Sequence, residues 1–287
     1  MMHKRIKWFF SNAVIFIIGI SSISLFSQET NSNGKLFIIG GGARPMSMVE
    51  RIAKESGIDN AGYGVILPMS SAEPDSAIYY SKRQFTKLGI HNIYGLDFKK
   101  DESLTKNKLD SIKNAKLIYI SGGDQNKFMD IVLGTEIETA IHEAFGKGSL
   151  IAGTSAGAAV MSKVMITGKE KRHPEYASTF RNIETDNLET QTGLGLIDKA
   201  IIDQHFVKRS RYNRLISAVL EFPGKTGVGI DEATAILVIG DTVEVVGESQ
   251  VIVLTNPQGI AVSHNEKLGA KGLVMDIYLP GETFNLK

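Results

Sequence analysis

The sequence comprises 287 residues with a formal net charge of +1, and 43% of them are hydrophobic. This balance excludes a basic face for nucleic acid and an acidic tail, so no nucleic-acid partner is expected. Since cysteine is absent, disulfide bonds, thiolate metal sites and a lipid-modified cysteine anchor are excluded as well.

The first 27 residues have the features of an export signal. His3, Lys4, Arg5 and Lys7 form a positive start, and residues 8–26 are largely apolar. The strongest apolar run, 13–20, fits the ~7–15 residues of a signal-peptide core and is shorter than the ~20 residues of a membrane span. We therefore expect cleavage after Ser27, a periplasmic or secreted protein, and no stable membrane insertion after cleavage. An uncleaved membrane anchor is the alternative.

Short apolar runs alternate with helical patterns between residues 35 and 152. The pattern predicts buried strands at 35–39, 64–68, 92–95, 116–120 and 150–152, and helices at 48–56, 75–88, 103–113 and 136–145. Strand and helix in turn predict an α/β fold with a mostly parallel sheet and helices on both faces.

Three glycines, Gly40, Gly41 and Gly42, follow the first strand, where a phosphate-binding loop would lie. The next residues supply neither a third glycine at the dinucleotide spacing nor a Gly-Lys-Ser/Thr sequence. We interpret the run as a tight turn near the rim of the active site. No His/Asp/Glu cluster has metal-ligand spacing either, so no metal is expected.

The segment Gly153-Thr154-Ser155-Ala156-Gly157 follows a strand and precedes a helical pattern. A glycine-flanked serine between a strand and a helix is the setting of a nucleophile elbow. The turn strains the serine backbone, and the hydroxyl is exposed at the helix N-terminus, where free N–H groups can stabilise an oxyanion. A Gly/Ser-rich turn without a catalytic role is the alternative.

A serine nucleophile needs a base and a third group that orients the base. Of the six histidines, His205 is the candidate, because it directly follows an apolar run that predicts a strand end. Asp231 and Glu232 end another apolar strand, and either acid could orient the imidazole. The three residue types occur in the chain in the order nucleophile, base, acid, beginning with Ser155. This order argues against the α/β-hydrolase fold, in which the acid precedes the histidine.

After residue 230 the pattern changes to apolar runs at 235–239, 242–246 and 251–254. The glycines between them predict antiparallel hairpins. Because nothing resembling a linker precedes these runs, we predict one catalytic domain over residues 28–287, with the hairpins as its C-terminal extension.

Four segments together resemble the cyanophycinases, which belong to the serine-peptidase family that also contains the aspartyl dipeptidase peptidase E. The segments are 122–125, 153–158, 203–206 with the arginines that follow, and 229–232. The resemblance runs from residue 35 to the C-terminus. It implies Ser155 as nucleophile, His205 as general base and Glu232 as the third member, in a fold similar to class I glutamine amidotransferases and flavodoxin-like proteins.

The resemblance also implies an oxyanion hole and a substrate pocket. The backbone N–H groups of Gly123 and Ala156 would form the oxyanion hole. Residues at family positions that line the pocket are Gln125, Asp203, Gln204, Arg209, Arg211 and Arg214. Cyanophycinases hydrolyse a polymer with an aspartate backbone and β-linked arginine, release β-aspartyl-arginine dipeptides, and need no metal or organic cofactor.

The arginines agree with such a substrate, because arginine binds carboxylates through two parallel hydrogen bonds. A solvated basic helix start is the alternative, and Asp203 could pair with one arginine and only position it. The polar segment 167–192 matches nothing else. Shaping of the substrate site is one role considered for it, and its role is left open. The expected partner is a peptide or polymer rich in aspartate and arginine, and a homodimer is left open.

Two other functions compete with the cyanophycinase interpretation. One is a peptidase E-like enzyme that acts on other aspartyl or isoaspartyl peptides. The other is a catalytically idle binding protein, which the intact set of Ser155, His205 and Glu232 argues against. A class I amidotransferase has a similar sheet and elbow, but it needs a cysteine nucleophile.

Overall fold

The computed structural model describes residues 34–175, 177 and 179–286. The predicted signal peptide, residues 1–27, and the predicted start of the domain at residue 28 lie outside these ranges. In the part of the chain that the structure describes, no helix combines the length and apolar character needed to span a bilayer.

Seven helices and sixteen strands are found in the described residues. The helices are α1 (Met46–Ser56), α2 (Pro74–Thr86), α3 (Lys106–Lys113), α4 (Gln125–Val132), α5 (Glu136–Gly146), α6 (Ala156–Ala159) and α7 (Tyr212–Glu221). The strands are β1 (Lys35–Ile39), β2 (Gly64–Leu67), β3 (Ile93–Gly95), β4 (Leu117–Ile120), β5 (Leu150–Thr154), β6 (Val164–Glu170), β7 (Leu188–Thr192), β8 (Ala200–Gln204), β9 (Thr226–Ile230), β10 (Thr234–Ile239), β11 (Thr242–Gly247), β12 (Val251–Thr255), β13 (Val262–His264), β14 (Lys267–Gly269), β15 (Val274–Tyr278) and β16 (Thr283–Asn285).

An eight-stranded sheet has the order β16-β11-β10-β1-β5-β4-β2-β3. The five neighbouring strands β1, β5, β4, β2 and β3 are parallel. Strands β10, β11 and β16 extend the sheet with antiparallel pairs. The predicted α/β class, a mostly parallel sheet with a C-terminal antiparallel extension, is therefore confirmed.

Helices cover both faces of this sheet because successive strand side chains point to opposite sides. In β1, Leu36 and Ile38 belong to the core that includes residues of α3, α4 and α5. Phe37 and Ile39 belong to a second core with residues of α1 and α2. Burial on both faces explains why the parallel strands are almost continuously apolar.

A second sheet has the order β15-β12-β9-β8. Of the predicted hairpins, β10 and β11 form one, but the prediction is wrong for the third run, β12, which pairs with β9 and β15. A contact between two loops accompanies this pairing of β12. The chain after β11 crosses the corner between β9 and β10, where Glu248 N–H donates to the Ala233 carbonyl at 3.0 Å and Ser249 N–H to Thr234 Oγ1 at 2.8 Å.

The three residues of the predicted triad follow the ends of strands. Ser155 comes directly after β5, and His205 directly after β8. Glu232 lies in the corner between β9, in the second sheet, and β10, in the first. The polar segment 167–192 contributes the end of β6 and all of β7, which pair as an antiparallel hairpin.

Candidate active site

Ser155 occupies a strained turn between β5 and α6. Its backbone has φ 53° and ψ −109°, and its N–H donates to the Ile39 carbonyl at 3.0 Å. The flanking glycines are required sterically, since a Cβ at Gly153 would lie 2.3 Å from the Gly157 carbonyl oxygen. The local geometry is therefore that of the elbow that the sequence pattern predicts.

Ser155, His205 and Glu232 form one hydrogen-bonded line. Ser155 Oγ lies 2.9 Å from His205 Nε2, and His205 Nδ1 lies 2.6 Å from Glu232 Oε1. A carboxylate only accepts hydrogen bonds, so Nδ1 carries the proton and Nε2 is free to accept the serine proton. The line has the geometry in which an imidazole can activate a hydroxyl.

The pKa of His205 lies below its ordinary value. Burial is the main cause, because it disfavours the charged imidazolium. The hydrogen bond to Glu232 raises the pKa and partly opposes the effect of burial. The nearby positive charge of Arg209 lowers the pKa further. The imidazole is thus neutral, and able to accept a proton, at a lower pH than a free histidine.

The structure separates the roles of the two acids that the sequence left open. Glu232 contacts the imidazole, whereas the Asp231 carboxylate accepts hydrogen bonds from Lys208 N–H at 2.9 Å and Ser249 Oγ–H at 2.8 Å. Neither oxygen of Asp231 is bonded to His205 among the described contacts.

The glycine run after β1 lies against the imidazole. His205 N–H donates to the Gly40 carbonyl at 2.7 Å. Gly41 has φ +114°, and a Cβ there would lie 2.3 Å from His205 Cε1. The run is therefore a tight turn at the site, as predicted, and its glycines make room for the ring.

Gly123 lines the same cavity as Ser155, and Ala156 directly follows Ser155 in the chain; their backbone N–H groups are the predicted donors of the oxyanion hole. Gly123 has φ +142°, and a Cβ there would lie 2.0 Å from the Ser70 carbonyl oxygen. Ala156 is the first residue of α6. Within the described residues, neither N–H donates to another protein group, so both are available to a substrate oxygen.

A cavity of about 240 Å³ opens next to Ser155. Its lining residues are Gly123, Asp124, Gln125, Asn126, Ser155, Thr167, Gly168, Lys169, Gln204, Arg209, Arg211 and Arg214. Five of the six predicted pocket residues are among them. The sequence interpretation did not name Asp124 and Asn126, which lie at the start of α4. It left open the role of the segment that contains Thr167, Gly168 and Lys169. These three residues belong to the end of β6, where the pairing with β7 shifts in register between Ile166 and Glu170.

Asp203 is the predicted pocket residue that does not line the cavity. Its side chain is fully buried. Arg214 donates to it from Nε, at 2.8 Å to Oδ2, and from Nη2 to Oδ1. Of the two roles that the sequence left open for Asp203, the structure shows the pairing with an arginine, and Asp203 is not among the residues that line the cavity.

Two further pocket residues are fixed by hydrogen bonds to their surroundings. Arg211 Nη1 donates to Gln204 O at 2.7 Å and Gln204 Oε1 at 2.8 Å. Gln125 Nε2 donates to Ile166 O at 3.0 Å and Thr167 O at 2.7 Å, and so ties α4 to β6. These side chains keep fixed positions in the cavity wall.

Cations dominate the charge around the cavity. Lys169 and three arginines line it, while Asp124 is the acid on its wall. Guanidinium groups bind carboxylates with directed hydrogen bonds, so this cavity suits an anionic ligand. Among the described residues, no group of three or more His, Asp or Glu side chains could hold a metal ion.

A hydroxyl, an imidazole and a carboxylate in line, beside two free N–H groups, form the constellation of enzymes that attack carbonyl groups. Comparison with known proteins defines the family. The family model of peptidase family S51 matches residues 36–246, and the chain belongs to this family.

Curated relatives carry the name cyanophycinase. The protein from Nostoc sp. is 33% identical over 232 residues, which cover 78% of this chain and 75% of the relative. The protein from Synechococcus elongatus is 30% identical over 278 residues, which cover 91% of this chain and 81% of the relative. The chain is thus a peptidase of the cyanophycinase and peptidase E type.

Two solved structures share the fold. A peptidase from an acI-B1 actinobacterium superposes with a TM-score of 0.65 at 22% identity, covering 89% of this chain and 98% of that structure. A putative peptidase E from Listeria monocytogenes EGD-e has a TM-score of 0.54 at 17% identity, and the match covers 75% of this chain and 99% of that structure.

Proposed function

We propose that the protein is a serine-type exopeptidase that hydrolyses cyanophycin and releases β-aspartyl-arginine dipeptides. The observation that carries this proposal is the line from Ser155 through His205 to Glu232, which opens onto a cavity lined by Arg209 and two further arginines.

The geometry supports an acyl-transfer mechanism. Ser155 Oγ attacks the carbonyl carbon of the scissile amide as its proton passes to His205 Nε2. The N–H groups of Gly123 and Ala156 stabilise the oxyanion that forms. The imidazolium, held by Glu232, then protonates the leaving amine. A water molecule loses a proton to the imidazole, attacks the acyl-enzyme and releases the second product as the serine regains its proton.

The charge of the cavity supports the choice of substrate. In cyanophycin each aspartate carries arginine on its β-carboxyl group, and the terminal aspartate adds a free α-carboxylate. Arg209 and Arg214 offer donors to such carboxylates, and Arg214 is held in position by Asp203. A cavity of about 240 Å³ has room for a small unit, which favours removal of terminal dipeptides.

The experiment is to incubate the purified protein with insoluble cyanophycin and, separately, with α- and β-aspartyl dipeptides, and to identify the products by mass. We expect β-aspartyl-arginine from the polymer. Hydrolysis of the dipeptides alone would support a peptidase E-like aspartyl dipeptidase instead. Binding of the polymer without any product would support an idle binding protein.

We also propose that the protein is exported, on the basis of the charge and apolar pattern of residues 1–27. The test is N-terminal sequencing of the mature protein from its native host. A sequence that begins at Gln28 supports cleavage after Ser27, whereas an intact N-terminus on membrane-bound protein supports the anchor alternative.

A further inference from the structure

Asp231 is a buried carboxylate next to Glu232 that the proposed mechanism does not use. It is 8% exposed. Its Oδ1 accepts from Lys208 N–H at 2.9 Å, and its Oδ2 accepts from Ser249 Oγ–H at 2.8 Å. Its own N–H donates to the Gln250 carbonyl at 3.2 Å. Asp231 therefore joins two separate loops at the site.

The loop that contains Lys208 is the turn between the base and the arginines. His205 and Ser210 both have φ 50° in this turn, a backbone region that non-glycine residues adopt only under constraint. Arg209 N–H donates to the His205 carbonyl at 2.9 Å, and Arg211 N–H to the Phe206 carbonyl at 3.0 Å. The N–H of Lys208 is instead held by the side chain of Asp231.

We propose that Asp231 is a positioning residue that holds the 205–211 turn in its strained conformation. The turn begins with His205 and contains Arg209, so its shape sets both the contact of the imidazole with Ser155 and the place of one cavity cation. The adjacent acids thus have different roles, since Glu232 binds the ring and Asp231 fixes the backbone that carries the ring. This inference rests on the proposed function, because it takes His205 as the base.

The chemistry of the two hydrogen bonds gives a sharp test. In Asp231→Asn, Oδ1 can still accept from Lys208 N–H, and Nδ2 can donate to Ser249 Oγ, since a hydroxyl both donates and accepts. Asp231→Ala removes both contacts. Ser249→Ala removes one contact and leaves the bond to Lys208. Asp276, an exposed carboxylate of β15, gives the matched control Asp276→Ala.

The experiment measures kcat, KM and the pH–rate profile of these variants in the full chain, with thermal unfolding to verify folding. In Asp231→Ala we expect kcat/KM to fall about 10- to 100-fold, with a lower kcat and a higher KM, because the base and Arg209 are both displaced. Asp231→Asn should stay within about threefold of the wild type, and Ser249→Ala should lose about two- to tenfold. Asp276→Ala should match the wild type.

A spectroscopic readout separates this inference from the proposed function. With ¹⁵N-labelled histidine, the Nδ1–H resonance of His205 reports its hydrogen bond to Glu232 whether or not the protein hydrolyses cyanophycin. We expect this resonance to persist in Asp231→Asn and to shift or broaden in Asp231→Ala. A wild type that hydrolyses nothing would overturn the proposed function, while the resonance would still decide the role of Asp231.

Two results would overturn the positioning role. The first is a folded Asp231→Ala variant with wild-type kinetics and an unchanged His205 resonance. The second is an Asp231→Asn variant in which kcat/KM falls as far as in Asp231→Ala, since the negative charge and not the hydrogen bonds would then matter. If Asp231→Ala does not fold, Asp231→Asn and Ser249→Ala decide. The role is overturned when kcat/KM of Asp231→Asn falls by more than about tenfold while Ser249→Ala matches the wild type.

Discussion

His205 Nδ1 lies 2.6 Å from Glu232 Oε1, although 27 residues separate them in the chain. The register of the second sheet explains this contact. Parallel strands β8 and β9 pair Gln204 with Ile230, so the residues that follow these two ends lie side by side. Since β8 comes before β9 in the chain, the base precedes the acid in the sequence, in contrast to the order found in α/β-hydrolases.

Replacing Glu232 with glutamine should lower kcat strongly and change KM little. Glutamine does not supply the negative charge that stabilises the imidazolium, and loss of the comparable acid in serine proteases costs about 10⁴-fold in kcat. Steady-state kinetics of Glu232→Gln and Asp231→Asn measure this difference. A crippled Asp231→Asn beside a nearly active Glu232→Gln would show that Asp231, and not Glu232, is the third member.

Activity should rise with pH through one ionisation, with its midpoint below that of a free histidine. The base works only when His205 is deprotonated, and its folded pKa is lowered chiefly by burial, so the active form is already present at lower pH. Since Arg209 contributes to the lowering of this pKa, Arg209→Gln should move the midpoint of the kcat/KM profile upward. The exposed Arg83 of α2 provides the control Arg83→Gln. If Arg209→Gln leaves the midpoint unchanged, the charge of Arg209 does not lower the pKa of His205.

Replacing Arg214 with lysine should reduce both stability and substrate affinity. Lysine keeps the charge but cannot reproduce the two bonds to the fully buried Asp203. We expect a loss of about 1–3 kcal/mol in the free energy of unfolding, measured by urea denaturation. The value of kcat/KM should fall by more than about tenfold. A silent change in both measurements would identify the arginine as a solvated side chain.

A methyl group at Gly41 should lower kcat by displacing the imidazole. The added Cβ would lie 2.3 Å from His205 Cε1 at a residue with φ +114°. Gly57 is the matched control, because it has φ +73° and nothing lies within 4 Å of an added Cβ. Gly57→Ala should cost about 1 kcal/mol of stability and leave kcat unchanged. Equal kcat in the two variants would show that contact with His205 is unimportant.

The sequence predicted the parallel strands well because each is a short apolar run buried on both faces. The strand at Lys35–Ile39 was predicted with its observed bounds. Polar and long-range features were harder to predict. Helix α4, Gln125–Val132, was missed, although Asp124 caps it by accepting from Asn126 N–H. The pairing of β12 depends on a crossing between distant loops, which no local pattern records.

In the site, too, residues with local sequence signals could be predicted, whereas residues placed by long-range packing could not. Ser155 and His205 could be predicted because strand ends with a Gly-flanked serine or a histidine are local signals. The pairing of Asp203 with Arg214 depends on how α7 packs against the second sheet, where it contacts β9 and β12, and the sequence left both roles of Asp203 open. The contribution of Gly168 depends on the fold of the β6–β7 hairpin over the cavity, which its polar sequence does not indicate.

In the proposed mechanism, Ser155 attacks the substrate with His205 as its base. The most direct measurement compares release of β-aspartyl-arginine from cyanophycin by the wild type and by Ser155→Ala, with thermal unfolding to verify that the variant is folded. We expect the variant to bind the polymer and to lose turnover by about a million-fold, as triad enzymes do when they lose the nucleophile. Dipeptide release by folded Ser155→Ala at a rate within about tenfold of the wild type would contradict this mechanism, since the loss of a nucleophile lowers turnover far more than tenfold.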